Sequence, residues 1–160
     1  MIVGSIKEDI NLEKRVSVTP ESAKNIIALG LNINLEKSYA THLGIEDKQY
    51  ESVGVKFYSN SKEVINNSSL ILKVNCPTNE EIKNLKEKTI LVGIFNPSNN
   101  QDKLKEVLKK SINVFSLELL PRISRAQSMD VLSSQSNLAG YRAVIESIYE
   151  FEKAVPMMMT

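Results

Sequence analysis

Short apolar runs rich in Val, Ile and Leu alternate with stretches of helical period along this chain. Residues 2–6, 31–35, 55–58, 70–74, 90–95 and 114–117 are the predicted strands. Several of them show little polar alternation, which is the pattern of strands covered by helices on both faces of a parallel sheet. Between the first two, Thr19-Pro20-Glu21 predicts a helix start, with Thr as N-cap, Pro at the first helical position and an acid in the first turn. Ala23, Ile26, Ile27 and Leu29 supply its buried stripe, and Gly30 a left-handed residue to end it. A further helix is predicted over 101–110, with Leu104, Val107 and Leu108 on one face. The repeated strand–helix rhythm predicts an α/β fold with a doubly wound, mostly parallel sheet and helices on both faces. From about Ser133 the chain runs without a breaker to Lys153, through Ala139, Ala143, Val144, Ile148 and Phe151, a helix of about five turns. Val155-Pro156-Met157-Met158-Met159-Thr160 follows, an apolar end expected to meet a partner surface.

Composition narrows the classes. At 160 residues, with 42% hydrophobic and 24% charged content, the chain reads as one soluble globular domain. Twenty basic against nineteen acidic residues leave a net charge of +1, without the concentrated basic face that a nucleic-acid binder needs. The single Cys76 forms no internal disulfide and suits a reducing cytoplasm. The N-terminus enters a strand directly, so no signal peptide is expected. No apolar stretch approaches the ~20 residues that span a bilayer, so membrane attachment is expected only through partners.

A dinucleotide fingerprint needs closely spaced glycines at a strand-to-helix turn. Gly4, Gly30, Gly44, Gly54, Gly93 and Gly140 are too far apart, so a Rossmann-like domain without its own pyrophosphate cradle is expected. A metal site is not expected either, since one His and one Cys are too few, and His42 reads as a surface-turn residue. After the first strand come Ile6-Lys7-Glu8 and Arg15-Val-Ser-Val-Thr-Pro20. Arg15 is either part of a charged surface loop or a planar fork for a carboxylate. Lys73, in Leu72-Lys-Val-Asn-Cys-Pro77, stands in an apolar strand, where an unpartnered amine is costly; it marks a strand end opening into a cleft. The most polar junction is Pro121-Arg-Ile-Ser-Arg-Ala-Gln-Ser-Met-Asp130, between a strand and the long helix, where α/β proteins bind ligands. Its bland reading is a capped helix with Asp130 or Ser133 at the N-terminus.

The Lys-Glu pair after the first strand, Arg-Val-x-x-Thr-Pro and Leu-Lys-Val-x-x-Pro resemble the family shared by alanine dehydrogenases and transhydrogenase alpha subunits. In alanine dehydrogenases the residues matching Arg15 and Lys73 bind the pyruvate carboxylate and carbonyl, and a histidine after the next strand completes the site. Asn96 stands at that position here, and Asn cannot cycle a proton near neutral pH. Arg15, Lys73 and Asn96 are thus expected to form a vestigial substrate site. The stretch from Pro121 to Asp130, then Leu-Ser-Ser-Gln-Ser-Asn-Leu-Ala-Gly-Tyr-Arg-Ala-Val-Ile and Phe-x-x-Ala-x-Pro-Met-Met-Met-Thr, resembles the NAD(H)-binding alpha subunit of proton-translocating NAD(P) transhydrogenase. Weaker similarity extends over the whole chain.

That resemblance implies that Arg122, Gln127, Asp130 and Ser133 approach the nicotinamide and its ribose, with no residue acting as acid or base. It implies NAD(H) as cofactor, with NADP(H) on a partner domain. It further implies a homodimer, docking the NADP(H)-binding domain of the beta subunit and membrane subunits, and hence a cytoplasmic component peripheral to the inner membrane. The family continues after Met-Met-Met-Thr into a glycine-rich NAD-binding domain. Residues 1–160 are therefore expected to be its N-terminal domain alone, inactive without the rest.

Two other readings remain open: an alanine-dehydrogenase-like oxidoreductase using Arg15 and Lys73, and a non-catalytic fragment acting only in subunit assembly. Supplying a full-length version with NADH and an NADP analogue, or with alanine and NAD, separates the first from transhydrogenation.

Overall fold

The structure, a computed structural model, describes residues 1–154. The apolar end at residues 155–160, Met157–Thr160 included, lies outside the described residues. The chain divides into two compact units, Met1–Leu117 and Glu118–Thr160.

The first unit is built on a six-stranded, all-parallel sheet. Its strands are β1 (Ile2–Ser5), β2 (Asn32–Glu36), β3 (Lys56–Tyr58), β4 (Leu70–Leu72), β5 (Ile90–Gly93) and β6 (Asn113–Ser116). All six predicted strands are present, each shifted or trimmed by a residue or two. Their order is β3-β2-β1-β4-β5-β6, so the winding reverses between β1 and β4. The connecting helices are α1 (Pro20–Ala28), α2 (Asp47–Glu51), α3 (Ser61–Asn66), α4 (Asn79–Asn84) and α5 (Gln101–Lys109).

Side-chain period 2 on the strands separates two cores. Val3, Ile33 and Leu35 point to one face, where they pack with Ala23 of α1 and Tyr50 of α2. Ile71 and Leu91 point to the other, against Val64 and Ile65 of α3, Ile82 of α4 and Val107 of α5. Strands buried on both faces explain the near-continuous apolar runs in the sequence. One polar residue interrupts them: buried Asn34 donates through Nδ2 to the carbonyl of Asn67 at 2.8 Å, which satisfies it at the end of α3.

Helix α1 starts as its sequence predicts. Thr19 Oγ1 accepts from the Ser22 amide, Ser22 Oγ accepts from the Thr19 amide, and Pro20 occupies the first turn. Gly30 takes the left-handed conformation, φ 81°. Leu29 and Leu108 do not join the buried stripes that the helical period assigns them; both are exposed, because they sit at or near a helix end where the apolar face has already turned outward. Helix α4 has no glycine stop. Instead the Lys110 ammonium donates to the carbonyls of Ile82, Lys83 and Leu85 at 2.8, 2.7 and 3.1 Å, placing a cation on the negative end of the helix.

The second unit contains a 3-10 segment, Ser124–Met129, and the long helix α6, Val131–Glu150. The helix predicted from about 133 to 153 therefore starts two residues earlier, where Asp130 caps it, and ends three earlier, at Glu150. No residue of α6 is buried; Leu138, Tyr141, Val144, Ile148 and Tyr149 are all exposed.

Strand β5 passes so close to β4 that a Cβ at Gly93 would lie 2.2 Å from the Lys73 carbonyl oxygen and 2.5 Å from the Phe95 ring. Gly93→Ala is expected to destabilise the chain by about 1–3 kcal/mol or more through overpacking against backbone. Gly140→Ala, in α6 with nothing within 4 Å of the added methyl, is the contrasting case. It is expected to raise helicity and stability by up to about 1 kcal/mol. Urea unfolding of both variants checks the pair; equal effects would refute the close approach.

Candidate functional site

Two places in the structure gather polar chemistry, one in each unit. In the second unit, after Pro121, the chain turns through Ile123, whose amide donates to the Pro121 carbonyl at 2.9 Å, into the 3-10 segment. Arg122, Ile123, Ser124, Ala126, Gln127 and Asp130 line a cavity there of about 280 Å³. The segment ends at Asp130, which leaves helical geometry (φ −75°, ψ 87°) and caps α6 with its side chain. Asp130 Oδ1 accepts from the Ser133 amide at 3.0 Å, and Oδ2 accepts from Ser133 Oγ at 2.6 Å. These two hydrogen bonds hold the Asp130 carboxyl below its ordinary value, the Ser133 hydroxyl foremost, with the positive charge of Arg122 adding a smaller pull. Arg122, Gln127 and Asp130 are thus brought onto one cavity wall, and Ser133 is tied to it through Asp130. Where the sequence suggests an irregular loop before Ser133, the structure has a 3-10 turn closed by an aspartate cap.

In the first unit, a cavity of about 540 Å³ opens at the carboxyl ends of β1, β4 and β5, where the winding reverses. Lys73 follows β4 directly, its amide donating to the Val92 carbonyl at 3.0 Å. The side chain is only 4% exposed. Its ammonium donates to both oxygens of Glu81 at 2.9 and 3.0 Å and lies 3.5 Å from Glu8 Oε2. The other Glu8 oxygen accepts from the amides of Val74 at 2.7 Å and Asn75 at 3.4 Å. Burial pushes the Glu8 carboxyl up, and this outweighs the downward pull of Lys73 and of the two amides.

Asn96 lines the same cavity with a left-handed backbone, φ 44°, and the Asn100 side chain bonds the Phe95 carbonyl beside it at 2.9 Å. Arg15 is not among the residues lining it. Its guanidinium instead forms a fork with Glu13, Nε to Oε1 at 2.9 Å and a terminal nitrogen to Oε2 at 2.6 Å. The structure therefore joins Lys73 with Asn96 in one cavity and gives Arg15 a carboxylate partner from its own loop. His42 lies in a 3-10 turn, Thr41–Leu43, with Nε2 2.8 Å from the Lys14 carbonyl.

Sequence reasoning misses Glu8 and Glu81 as partners of Lys73. A signal for Glu81 is present: Thr78-x-x-Glu81 is a capping box, and both of its bonds form, Glu81 amide to Thr78 Oγ1 at 3.2 Å and Thr78 amide to Glu81 Oε2 at 2.7 Å. Glu8 carries no such signal, because its bonds reach across 66 residues.

Fold and site define a class: an all-parallel, doubly wound α/β domain with a crevice at its winding reversal and a polar 3-10 turn feeding a long helix. The chain belongs to the family described as alanine dehydrogenase/PNT, N-terminal domain, whose family model matches residues 4–139. It is 41% identical, over its whole length, to the first of the separately encoded pieces of the NAD(P) transhydrogenase alpha subunit of Rickettsia prowazekii, covering 43% of that protein. The subunit of the same name from Rhodospirillum rubrum is 38% identical over 92% of this chain and 40% of its own length. A solved structure of transhydrogenase from Sinorhizobium meliloti superimposes with a TM-score of 0.91 at 38% identity, over 100% of this chain and 48% of that one. The chain spans about two fifths of the length of the curated relatives it matches. No helix among the described residues is long and apolar enough to cross a membrane.

The raised Glu8 carboxyl gives a pH prediction. A folded value above the ordinary 4.5 means that the folded chain holds more protons than the unfolded chain in the interval between the two. The contribution of Glu8 to stability is therefore full below 4.5 and lost as pH rises through the folded value. Glu8→Gln removes this dependence, so stability measured by urea unfolding should fall less with rising pH above 4.5 in the variant than in the parent chain. Parallel pH profiles would show that burial does not perturb Glu8.

Proposed function

We propose that this chain is the N-terminal domain of the NAD(H)-binding component of a proton-translocating NAD(P) transhydrogenase, and that its 3-10 turn orients the nicotinamide end of NAD(H) for hydride exchange with NADP(H). The observation that carries this reading is the convergence of Arg122, Gln127 and Asp130 on one small cavity wall, in a chain whose relatives are named transhydrogenase subunits.

The donor set suits the ligand. A guanidinium and a primary amide donate to a carboxamide oxygen, while a carboxylate and a hydroxyl accept from its NH2 or from ribose hydroxyls. A cavity of about 280 Å³ matches one ring and its substituents rather than a whole dinucleotide. The sequence offers no paired glycines to cradle a pyrophosphate. Most nucleotide affinity is thus assigned to a glycine-rich domain of the intact subunit. NAD(H), when bound, supplies the hydride. The protein's role is orientation, because a direct transfer between two rings needs near-contact geometry and no acid or base in the step.

Asp130 does two things at once. It starts α6 and it presents a carboxylate edge beside Arg122, and Ser133 keeps that edge in place. The partners proposed are a second copy of the component, the NADP(H)-binding domain of the beta subunit, and membrane subunits that attach the assembly to the cytoplasmic side of the inner membrane. Asn96 in place of a proton-cycling histidine, and Lys73 already paired with two carboxylates, argue against an alanine-dehydrogenase type of chemistry at the other cavity.

Two outcomes test the reading. In a complete alpha subunit with its NADP(H)-binding partner, Arg122→Ala and Asp130→Asn should each slow single-turnover hydride transfer on the order of 100-fold, since small displacements of a reacting centre are that costly. Equilibrium NADH affinity should change by no more than about tenfold, the cost of one ligand hydrogen bond. Stopped-flow rates set beside NADH titrations decide; unchanged transfer leaves the turn a helix cap only. The 160-residue chain by itself should show no transhydrogenation and bind NADH weakly. Micromolar affinity by calorimetry would contradict the assignment of nucleotide affinity to another domain.

A further inference from the structure

In an open α/β sheet the crevice at the winding reversal is the natural place for a ligand. Here that crevice has one cation at its floor, Lys73, and its carboxylate contacts match its three donors in number, two to Glu81 and one to Glu8. Neither carboxylate is a loose side chain. Glu81 is fixed from behind by the Thr78 amide, as a member of the capping box that starts α4. Glu8 is fixed by the amides of Val74 and Asn75. The next amine on the cavity wall, Lys7, lies 3.4 Å from Glu36.

One ammonium against two carboxylates leaves the floor of the crevice without positive charge for an incoming anion. A ligand carboxylate would have to displace Glu81 from Lys73 and from the Thr78 amide together, uncapping α4. It would also bring a third negative charge to a buried amine that already has two.

We propose that Glu81 is the built-in carboxylate of this crevice: it occupies Lys73 in the manner of a bound substrate and so excludes small free carboxylates, turning a ligand pocket into a brace between β1, β4 and α4. Lys73 is then a positioning residue, and Glu81 sets what the crevice refuses. This role is independent of hydride transfer, so failure of one leaves the other standing.

The test uses the whole 160-residue chain, with pyruvate and acetate as probes, followed by amide NMR shifts at Val74 and Asn75 and by calorimetry. The parent chain should bind neither with a Kd tighter than about 10 mM. Glu81→Gln keeps an oxygen to accept from the Thr78 amide but removes the charge, and should bind pyruvate at least about tenfold more tightly. Adding Lys73→Met should abolish the gain. Glu8→Gln, with Glu81 still on the amine, should stay closed. If Glu81→Gln fails to fold by circular dichroism, Glu81→Asp serves instead: it still reaches the helix start but retracts its charge from Lys73, and it too should gain pyruvate binding. Submillimolar binding by the parent chain would overturn the proposal. So would a folded Gln or Asp variant that binds no better than the parent, or a gain that survives Lys73→Met.

Discussion

The fold turns on a buried ammonium. Lys73 follows the strand on which the sheet reverses its winding, and with 4% of its side chain exposed it would be strongly destabilising if left unpartnered. Its partners come from three directions in the chain: Glu8 after β1, Glu81 in the first turn of α4, and, through the backbone, Val92 on β5. Removing one partner from such a cluster typically costs about 3–5 kcal/mol, because the remaining charge stays buried. The cluster therefore fixes the relation of β1, β4, β5 and α4 more tightly than the apolar core beneath it, which is non-directional. Gly93 belongs to the same constraint, since the strand that carries it passes against the Lys73 carbonyl at a distance that admits no side chain.

The two units use different means of order. The first buries two apolar clusters, one on each face of its sheet. Its short helices are pinned at their ends by side chains, with Asn60 and Thr78 capping the starts of α3 and α4, and Lys86 and Lys110 bonding the carbonyls at their ends. Helices of six residues have little cooperativity of their own, so such caps and the core behind them decide whether they form. In the second unit α6 has no buried residue, and its start rests on the Asp130–Ser133 pair. That unit holds its polar turn in shape by local hydrogen bonds.

How much can be read in the sequence follows from this difference. The strands are legible because sandwiching between helices makes each an apolar run, and α1 is legible because Thr19-Pro20 and Gly30 bracket it. The helices α2, α3 and α4 are not, being too short for a 3.6-residue period to show; only their caps announce them. Period alone assigns Leu29 and Leu108 to buried stripes, and tertiary placement at helix ends leaves them in solvent. At the candidate site, Arg122, Gln127 and Asp130 lie within nine residues of chain, so one turn suffices to gather them and the sequence points to them together. Lys73 is legible as an anomaly, an amine in an apolar strand. Its partner Glu8 is not, since nothing local marks a carboxylate that acts across the sheet.

The two cavities put a charged group to opposite uses in one chain. In the crevice, Lys73 meets its carboxylates inside the chain, and each carboxylate is also bound to backbone amides, so the charge is satisfied before any ligand arrives. At the turn, the Asp130 carboxylate is held by a single residue, Ser133, and Arg122 affects it only as a neighbouring charge. A cap of that kind sets direction without closing the cavity, and the donors of Arg122 and Gln127 remain on its wall. Orientation of a ligand ring calls for the second arrangement: polar groups held still by their own backbone, with bonding capacity turned toward the cavity. The first arrangement makes a brace. The same chain can therefore keep the crevice of its sheet as structure while the chemistry moves to the segment that follows the last strand.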